Sequence, residues 1–311
     1  MFLRSLPLQL LAAALAVSCA ASEPETIRTT LPQDLKIPWE SEADRDKRLG
    51  VVPDAQPAAL VEPVPLESCG NTAAGFEGWL QSFRRHALEQ KLSAATVAAL
   101  EPVRYDSDVV ELDRSQAAFK LSFADFSKKH VTAARIARGK LLRRQHAALL
   151  AKVEATYGVA PEILVAIWGL ETDYGENIGS RSCLSALATL AYDCRRAERF
   201  RSELLSALRI IERGDLTAYS MVGAWAGELG QTQFLPSSYE RFAVDFDGDG
   251  RADVVGSSAD ALASTANYLQ QHGWQAKQGA GPGSHNFGVL AEWNGSEVYR
   301  QTIALFAARL K

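Results

Sequence analysis

The chain lacks the excess of positive charge that marks a nucleic-acid-binding protein. Its 33 lysine and arginine residues face 37 aspartate and glutamate residues, for a net charge of −4. Basic residues occur in nothing longer than pairs such as Arg143–Arg144 and Arg195–Arg196, whereas a nucleic-acid-binding face concentrates them. We therefore expect no nucleic-acid partner. A hydrophobic share of 47% with 23% charged residues is ordinary for a soluble globular protein.

Cysteine is scarce, and its spacing argues against a cysteine-ligated metal site. The chain has 4 cysteines, with no Cys-x-x-Cys pair and no histidine beside any of them. In an oxidising compartment the three beyond the N-terminus tend to pair. We predict Cys194 as one member of a disulfide and Cys69 or Cys183 as the other. The spacing does not choose between these two partners.

Beyond the N-terminus, the sequence has no apolar run long enough to cross a bilayer. The stretch from Leu6 to Val17 is too short to span one and follows a basic residue, so we predict a signal peptide over residues 1–19. Ala16–Cys19 is similar to a bacterial lipobox, which predicts lipidation of Cys19 and an outer-membrane lipoprotein. Cleavage near residue 20 or 21 without lipidation is the alternative. Both predict export to the periplasm.

Proline concentrates between this leader and the rest of the chain. Seven of the 12 prolines lie between residues 23 and 67, among scattered charges. Such a composition favours an extended tether. We therefore predict a tether over residues 20–67 and one folded domain over residues 68–311. An irregular segment packed on the domain is the alternative for the part around Ile37 to Trp39.

The predicted domain is poor in strand signals and rich in helical ones. Val254–Val255 and Val289–Leu290 are the few candidate strands. Apolar residues recur at helical spacing from Phe76, and one long helix is predicted from Thr132 to Tyr157. The next helix starts at Pro161 and is apolar nearly all round, so we expect it in the core. The fold is predicted to be mainly α with little β structure.

One carboxylate ends that buried helix. Glu171 follows the apolar run, where burial and the negative end of the helix dipole both raise a carboxyl pKa. A carboxyl that stays protonated near neutrality can protonate the leaving oxygen of a glycosidic bond. We predict Glu171 as the catalytic acid, with Asp173 and Glu176 as more solvated rivals. A helix-end glutamate with only local hydrogen bonds is the alternative.

The Gly-rich, amide-rich segment 227–239 is expected to line a groove. It carries one carboxylate, Glu228. Most glycosidases use two carboxylates, so Glu228 is a candidate for the second, although bracing the glycine turn is the favoured role. Gln233 can both donate and accept hydrogen bonds, which suits a sugar hydroxyl or N-acetyl group.

An acidic loop follows this segment. From residue 245 it matches the first half of an EF-hand loop, with aspartate at positions one, three and five and glycine at position six. Position twelve is glycine rather than glutamate, so the closing ligand must come from further along. The predicted ligands are Asp245, Asp247, Asp249, the carbonyl oxygen of Arg251, and Asp260. We predict a structural Ca²⁺; an acidic turn without an ion is the alternative.

Together these segments resemble the lytic murein transglycosylases of the membrane-bound B type. The resemblance covers most of the region from Phe76 to Trp274. It rests on Tyr157–Glu162, the segment ending at Glu171, Ala186–Leu190, Gly227–Tyr239, the acidic loop, Ala266–Tyr268 and His272–Trp274. It resumes at His285–Phe287, Trp293–Asn294 and Tyr299.

The resemblance implies a lysozyme-like helical core that cleaves the β-1,4 bond between N-acetylmuramic acid and N-acetylglucosamine in peptidoglycan. It implies Glu171 as the single acid and base, with 1,6-anhydro ends formed instead of hydrolysis. Positions that contact the glycan in the family match Gln233, Tyr268, Asn294 and Tyr299. The acidic loop matches a calcium site. We expect peptidoglycan strands as partner, no organic cofactor and a monomeric protein.

Two departures from the family pattern stand out. Ala224 occupies a position where some relatives have serine. Only ten residues separate Trp274 from His285, where the family usually has a longer insert, so a small strand-containing subdomain is expected to be missing. The alternatives to a lytic transglycosylase are a hydrolytic muramidase and a non-catalytic, calcium-stabilised lipoprotein that binds peptidoglycan.

Overall fold

The computed structural model describes residues 64–115 and 121–311. In these ranges the chain forms thirteen helices and two strands of two residues each. In chain order they are α1 (Phe76–Glu89), α2 (Ala94–Ala98), α3 (Ser107–Ser115), α4 (Phe123–His130), α5 (Ala133–Gln145), α6 (Ala147–Tyr157), α7 (Pro161–Thr172), β1 (Arg181–Ser182), α8 (Cys183–Tyr192), α9 (Ala197–Arg213), β2 (Val222–Gly223), α10 (Pro236–Phe242), α11 (Ser258–Gln271), α12 (His285–Trp293) and α13 (Glu297–Leu310). The predicted signal peptide, Cys19 and the tether as far as residue 63 lie outside the described residues.

The last residues of the predicted tether pack on the folded body. Val64 and Leu66 contact the core that α1 helps to form. The indole of Trp79 on α1 donates a hydrogen bond to the carbonyl oxygen of Leu66 at 3.1 Å. Val64 and Leu66 are therefore partly buried, although the proline-rich composition predicted an extended tether as far as residue 67.

Helix α1 forms as its apolar spacing predicts. Phe76, Leu80, Phe83 and Ala87 are buried on one face, while Leu88, also expected there, is 47% exposed. A buried aromatic or aliphatic side chain contributes about 1.5–3 kcal/mol. This face therefore fixes α1 against the rest of the domain.

The long helix predicted from Thr132 to Tyr157 is two helices, α5 and α6. They are separated at His146, whose φ and ψ of −97° and 19° leave the helical region. The His146 ring meets the edge of the buried Trp168 ring at 5.7 Å, so the break lets this side chain pack on α7. Together α6 and α7 have the length and apolar composition of a membrane span, but they bend by 111° at their junction. No single helix in the described ranges is long and apolar enough to cross a membrane.

Helix α7 is buried on nearly all sides, as predicted, and Pro161 opens it. It ends where Asp173 and Tyr174 adopt left-handed backbone angles, with φ of 52° and 65°. The Tyr174 ring fills the space above Gly139 of α5 and Gly169 of α7, where a Cβ would come within 2.5 and 2.8 Å of it. Both glycines are thus needed for the close approach of Tyr174.

The observed strands differ from the predicted ones. Arg181–Ser182 pairs antiparallel with Val222–Gly223. Val254–Val255 lies in a turn, and Val289–Leu290 lies inside α12, so both strand predictions were wrong. Two β-branched or aliphatic residues in a row are too short a pattern to separate strand from buried helix or turn.

The short connection between α11 and α12 closes on itself without further regular structure. Asn286 holds it: its side-chain oxygen accepts from the backbone N–H of Gln275 at 2.8 Å, and its amide donates to the carbonyl oxygens of Gln275 and Gln278. A buried asparagine near the start of α12 thus fixes this short connection.

Two hydrophobic clusters make up the core. The first is built largely from α1, α8, α9 and α10, and the second from α6, α7, α11, α12 and α13. Tyr268 and Trp293 pack against both clusters. These two aromatic side chains therefore mark the junction where the clusters meet.

A disulfide joins Cys69 to Cys194, with their Cα atoms 4.9 Å apart. This confirms Cys194 as a bridge member and selects Cys69 over Cys183, which is buried as a free thiol. The bridge ties the segment before α1 to the loop between α8 and α9.

We predict that removing this disulfide costs about 2–5 kcal/mol of unfolding free energy, because it closes a loop with a sequence separation of 125. Urea unfolding of the wild type with and without reductant measures the loss. The double variant Cys69→Ser/Cys194→Ser should be equally weakened and insensitive to reductant. Equal stability of the reduced and oxidised wild type would contradict the prediction.

Candidate active site

Glu171 lines an open cavity at the junction of the two core clusters. The cavity has a volume of about 410 Å³. Glu171 is the penultimate residue of α7, and its half-buried side chain points from the core into this space. The structure thus places the carboxylate that the sequence singled out at the wall of a cavity.

Two aromatic side chains hold one oxygen of the carboxyl group. The Tyr299 hydroxyl donates to Glu171 Oε1 at 2.7 Å, and the Trp293 indole N–H donates to the same oxygen at 3.1 Å. Burial and the neighbouring Glu171 raise the pKa of Tyr299, so its hydroxyl stays protonated and remains a donor. With Oε1 accepting twice, Oε2 is the oxygen suited to carry a proton.

The pKa of Glu171 is raised to about 7 from an ordinary value of 4.5. Burial is the largest cause, because it disfavours the charged form. The bonds from Tyr299 and Trp293 lower the pKa, and the carboxylate of Glu228 raises it further. Since desolvation outweighs the hydrogen bonds, a substantial fraction of Glu171 keeps its proton at neutral pH.

The two rival carboxylates are engaged elsewhere. Asp173 pairs with Arg135 of α5 at 3.1 Å. Glu176 is exposed and pairs with Arg138 of the same helix, and this bond lowers the pKa of Glu176. Neither lines the cavity of Glu171, so both carboxylates tie the turn after Glu171 to α5 instead of offering an acid to the site.

Glu228 braces its own turn, as the sequence favoured. Its Oε2 accepts the backbone N–H of Ala226 at 3.1 Å. Burial raises the pKa of Glu228, opposed by backbone hydrogen bonds and by the positive charges of Arg196 and Arg199. Glu228 also lines the same cavity as Glu171, where it acts on that residue through its charge.

Three of the four predicted glycan-contacting residues line the cavity, namely Gln233, Tyr268 and Asn294. Gln233 has a left-handed φ of 58°, and its amide nitrogen donates to the carbonyl oxygens of Gly230 and Ile178. Its amide oxygen is then the group suited to a ligand. The Asn294 side chain accepts from the Ser296 N–H at 2.9 Å.

Tyr299, the fourth, does not line the cavity. It is 8% exposed and lies behind Glu171 with its hydroxyl on the carboxyl group. The structure therefore favours a role in orienting the acid over direct contact with a glycan.

Several residues that line the cavity were not predicted from the sequence. Trp293 was noted only as part of a motif, yet it bonds Glu171 and meets Phe234 and Tyr268 edge-on at 5.4 and 5.2 Å. Trp225 and Arg199 also line the cavity. Trp225 lies two residues before the predicted groove segment 227–239, so its place in the sequence was a usable signal. Arg199 had none, because only the packing of α9 brings it to the groove.

The acidic loop brings three carboxylates together. Oxygen atoms of Asp245, Asp247 and Asp249 lie within 4.8 Å of one another, and all three side chains are exposed. Asp245 accepts the backbone N–H groups of Gly248 and Gly250 at 2.7 and 2.8 Å. The loop backbone thus bends around the first aspartate, and the three carboxylates lie next to one another.

The other two predicted ligands have different contacts. Asp260 is fully buried, and its oxygens accept the backbone N–H groups of Phe246, Asp247 and Asp253. It is not among the three carboxylates whose oxygens lie within 4.8 Å of one another. The Arg251 guanidinium pairs with Asp249 at 3.2 Å, a contact separate from the carbonyl oxygen predicted as a ligand.

Residues 75–283 match the family of the transglycosylase SLT domain. That range is more than half of the chain, so the chain belongs to this family. The mainly α, lysozyme-like fold predicted from the sequence is confirmed by the solved structures that it resembles.

Among curated proteins, it is 39% identical over 150 residues to membrane-bound lytic murein transglycosylase B of Escherichia coli (strain K12). This match covers 48% of the chain and 41% of that protein, so the chain spans about two fifths of its relative's length.

Two solved relatives are similar over most of the described domain. SltB3 of Pseudomonas aeruginosa, in complex with NAG-NAM-pentapeptide, has a TM-score of 0.72 and 35% identity over 75% of this chain and 78% of that one. The same protein has also been solved with NAG-anhNAM-pentapeptide. The Escherichia coli lytic transglycosylase Slt35, in complex with calcium, has a TM-score of 0.67 and 25% identity over 74% of this chain and 92% of that one.

We predict that Glu171→Gln stabilises the protein at high pH and not at low pH. The folded pKa of about 7 exceeds the unfolded value of 4.5, so the folded state keeps a proton that the unfolded state has lost. Stability from this carboxyl is therefore lost as pH rises from about 4.5 to 7. The variant should exceed the wild type by roughly 2–3 kcal/mol at pH 8 and match it at pH 4.

Urea unfolding at the two pH values measures this difference. Glu154→Gln, at an exposed position of α6, controls for the loss of a negative charge and should show no such change. An equal effect of Glu171→Gln at both pH values would count against a protonated, desolvated Glu171.

Proposed function

We propose that this protein cleaves the β-1,4 bond between N-acetylmuramic acid and N-acetylglucosamine in peptidoglycan without adding water, using Glu171 as its single acid and base. The observation that carries the proposal is a carboxyl group with a pKa of about 7 at the wall of an open groove. Family membership supports the reaction class. The relative SltB3, solved with NAG-NAM-pentapeptide and with NAG-anhNAM-pentapeptide, supports the substrate and the anhydro product.

In the first step Glu171 gives the proton on Oε2 to the oxygen that leaves with N-acetylglucosamine. The bond between that oxygen and C1 of the muramyl sugar breaks, and the N-acetyl oxygen of the same sugar closes onto C1. The carboxylate that remains keeps both bonds from Tyr299 and Trp293. Charge-assisted hydrogen bonds are stronger than neutral ones, so these donors stabilise the ionised intermediate state of Glu171.

In the second step the carboxylate acts as the base. It takes the proton of the muramyl 6-hydroxyl while that oxygen attacks C1 and displaces the N-acetyl oxygen. Glu171 regains its proton, and the sugar becomes a 1,6-anhydro ring. A pKa near the working pH suits one group to both roles.

A second catalytic carboxylate has little support. Glu228 lies in the same cavity, but its Oε2 accepts from the Ala226 backbone within its turn. Its charge raises the pKa of Glu171, which favours the acid form before cleavage. We assign Gln233, Tyr268 and Asn294 to contacts with the glycan, and Tyr299 to orientation of Glu171.

The acidic loop fits a structural calcium ion. Its three carboxylates offer hard oxygen ligands within 4.8 Å of one another, and the related Slt35 was solved in complex with calcium. Asp245, Asp247 and Asp249 would hold the ion, with the carbonyl oxygen of Arg251. The ion would offset the repulsion among the three aspartates. Asp260 organises the loop backbone from behind.

The leader predicted over residues 1–19 supports the proposed location. We propose a periplasmic protein anchored in the outer membrane through lipidated Cys19, which acts on peptidoglycan strands as a monomer. The membrane-bound name of the Escherichia coli relative supports this location.

Product mass tests the reaction. Digestion of purified murein sacculi should release muropeptides that are one water lighter than hydrolysed ones, and Glu171→Gln should reduce this release by at least about a thousandfold, because no other group would supply the proton. Glu154→Gln should retain activity. Hydrolysed products would make the protein a muramidase, and binding without any release would make it a non-catalytic binding protein.

Calcium should raise the melting temperature by several degrees. Asp247→Ala should remove this rise, because it deletes one of three clustered ligands. Thermal unfolding with calcium and with chelator measures the effect, and Glu154→Gln should keep it. A melting curve unmoved by chelation in the wild type would refute the calcium site.

A further inference from the structure

We propose that Gln231 is a positioning residue that ties the acidic loop to the turn after Glu171, so that a divalent cation in the loop tightens this turn. The inference rests on the calcium site of the proposed function, and its test is independent of catalysis. The juxtaposition that carries it is a buried glutamine bonded on one side to the residues after the acidic loop and on the other to the residue after Glu171.

On the loop side, Gln231 makes two bonds to consecutive carbonyl groups. Its backbone N–H donates to Val254 O at 2.9 Å, and its side-chain amide donates to Val255 O at 3.2 Å. These valines directly follow Asp253, whose N–H is held by Asp260 at 2.8 Å. Asp260 also holds the N–H of Asp247 inside the acidic group. A change in the loop therefore reaches Gln231 through bonded backbone.

On the catalytic side, Gln231 accepts from the residue next to Glu171. The Thr172 hydroxyl donates to Gln231 O at 2.5 Å and accepts the Gly175 N–H at 2.9 Å. The Thr172 carbonyl accepts the Asn177 N–H at 2.8 Å. Thr172 and Gln231 are 1% and 8% exposed, so water does not compete for these bonds.

The turn beyond Thr172 fits closely against Gln231. Gly175 has a φ of +84°, and a Cβ there would lie 2.9 Å from Gln231 Oε1. Asp173 and Tyr174 hold left-handed angles that residues with side chains rarely adopt. Such conformations persist only where the surroundings fix them. The Thr172–Gln231 bond fixes the turn from the loop side, and α5 fixes it from the other.

The trigger is the charge of the acidic loop. Three exposed carboxylates within 4.8 Å repel one another. A divalent cation reverses this repulsion and orders the loop, and with it the carbonyl groups of Val254 and Val255. Gln231 and Thr172 then hold the turn after Glu171 more tightly.

Amide hydrogen exchange tests this coupling without requiring activity. Calcium should slow exchange at Gly175 and Asn177 of the full chain by about threefold to tenfold, the range for strengthening one buried hydrogen bond. Magnesium serves as the comparison ion, and the melting temperature confirms that calcium has bound. The same buffers then give kcat and KM on murein, where the coupling should act on kcat.

Matched variants isolate the relay. Thr172→Val removes the hydroxyl with little change in size, whereas Thr172→Ser keeps the hydroxyl. Gln231→Met removes the side-chain bond to Val255. The control is Thr189→Val, a buried threonine of α8 whose hydroxyl also accepts a backbone N–H and donates to a backbone carbonyl. It should lose similar stability and keep the calcium effect on Gly175 and Asn177.

The proposal predicts that both Thr172→Val and Gln231→Met still gain thermal stability from calcium. Thr172→Val should lose most of the slowed exchange, Gln231→Met should lose part of it because its backbone bonds to Val254 and Thr172 remain, and Thr172→Ser should keep it. Slowed exchange of wild-type size in Thr172→Val would overturn it. So would a wild type in which calcium raises the melting temperature and leaves Gly175 and Asn177 unchanged. A protein that shows the coupling yet releases no anhydro sugar supports this inference and refutes the proposed activity.

Discussion

The site depends on one balance of free energy, between the burial of the Glu171 carboxyl and the two hydrogen bonds that reach it. Burial alone would keep the group protonated to high pH, and hydrogen bonds alone would keep it ionised. Together they bring its pKa to about 7, where the group can release a proton and take one back. Tyr299 and Trp293 also bond the same oxygen, which leaves the other oxygen free of these two donors. The balance therefore sets both the strength of the acid and the atom that carries the proton.

The fold serves this balance by joining three separate parts of the chain at one point. Helix α7 ends at the groove, the segment after β2 supplies its opposite wall, and the ends of α12 and α13 supply the donors to Glu171. Tyr268 and Trp293 pack against both hydrophobic clusters. These two side chains also line the cavity. The packing between the clusters therefore helps to position the wall of the site. The ion pair between Arg135 of α5 and Asp173 holds the turn that follows Glu171.

Local sequence patterns predicted the features that local physics determines. The mainly α fold, the buried helix opened by Pro161, the carboxyl at its end and the bracing of the glycine turn by Glu228 all follow from periodicity, capping and burial. Features set by distant packing did not follow. His146 divides a continuous helical pattern, and its ring packs on Trp168. Tyr299 was predicted to contact the glycan, but it lies outside the cavity lining with its hydroxyl on Glu171. Arg199 reaches the cavity through the packing of α9. The bonds of Asp260 to three backbone N–H groups around the acidic loop also depend on packing that the sequence does not reveal.

The most direct measurement of the central claim is a titration of Glu171 itself. Carbon-13 NMR of glutamate side-chain carboxyls, compared between the wild type and Glu171→Gln, identifies the resonance that the substitution removes. The account predicts that this resonance titrates with a pKa of about 7. A pKa near the ordinary value of 4.5 would show a solvated carboxylate, and the acid role of Glu171 would be contradicted.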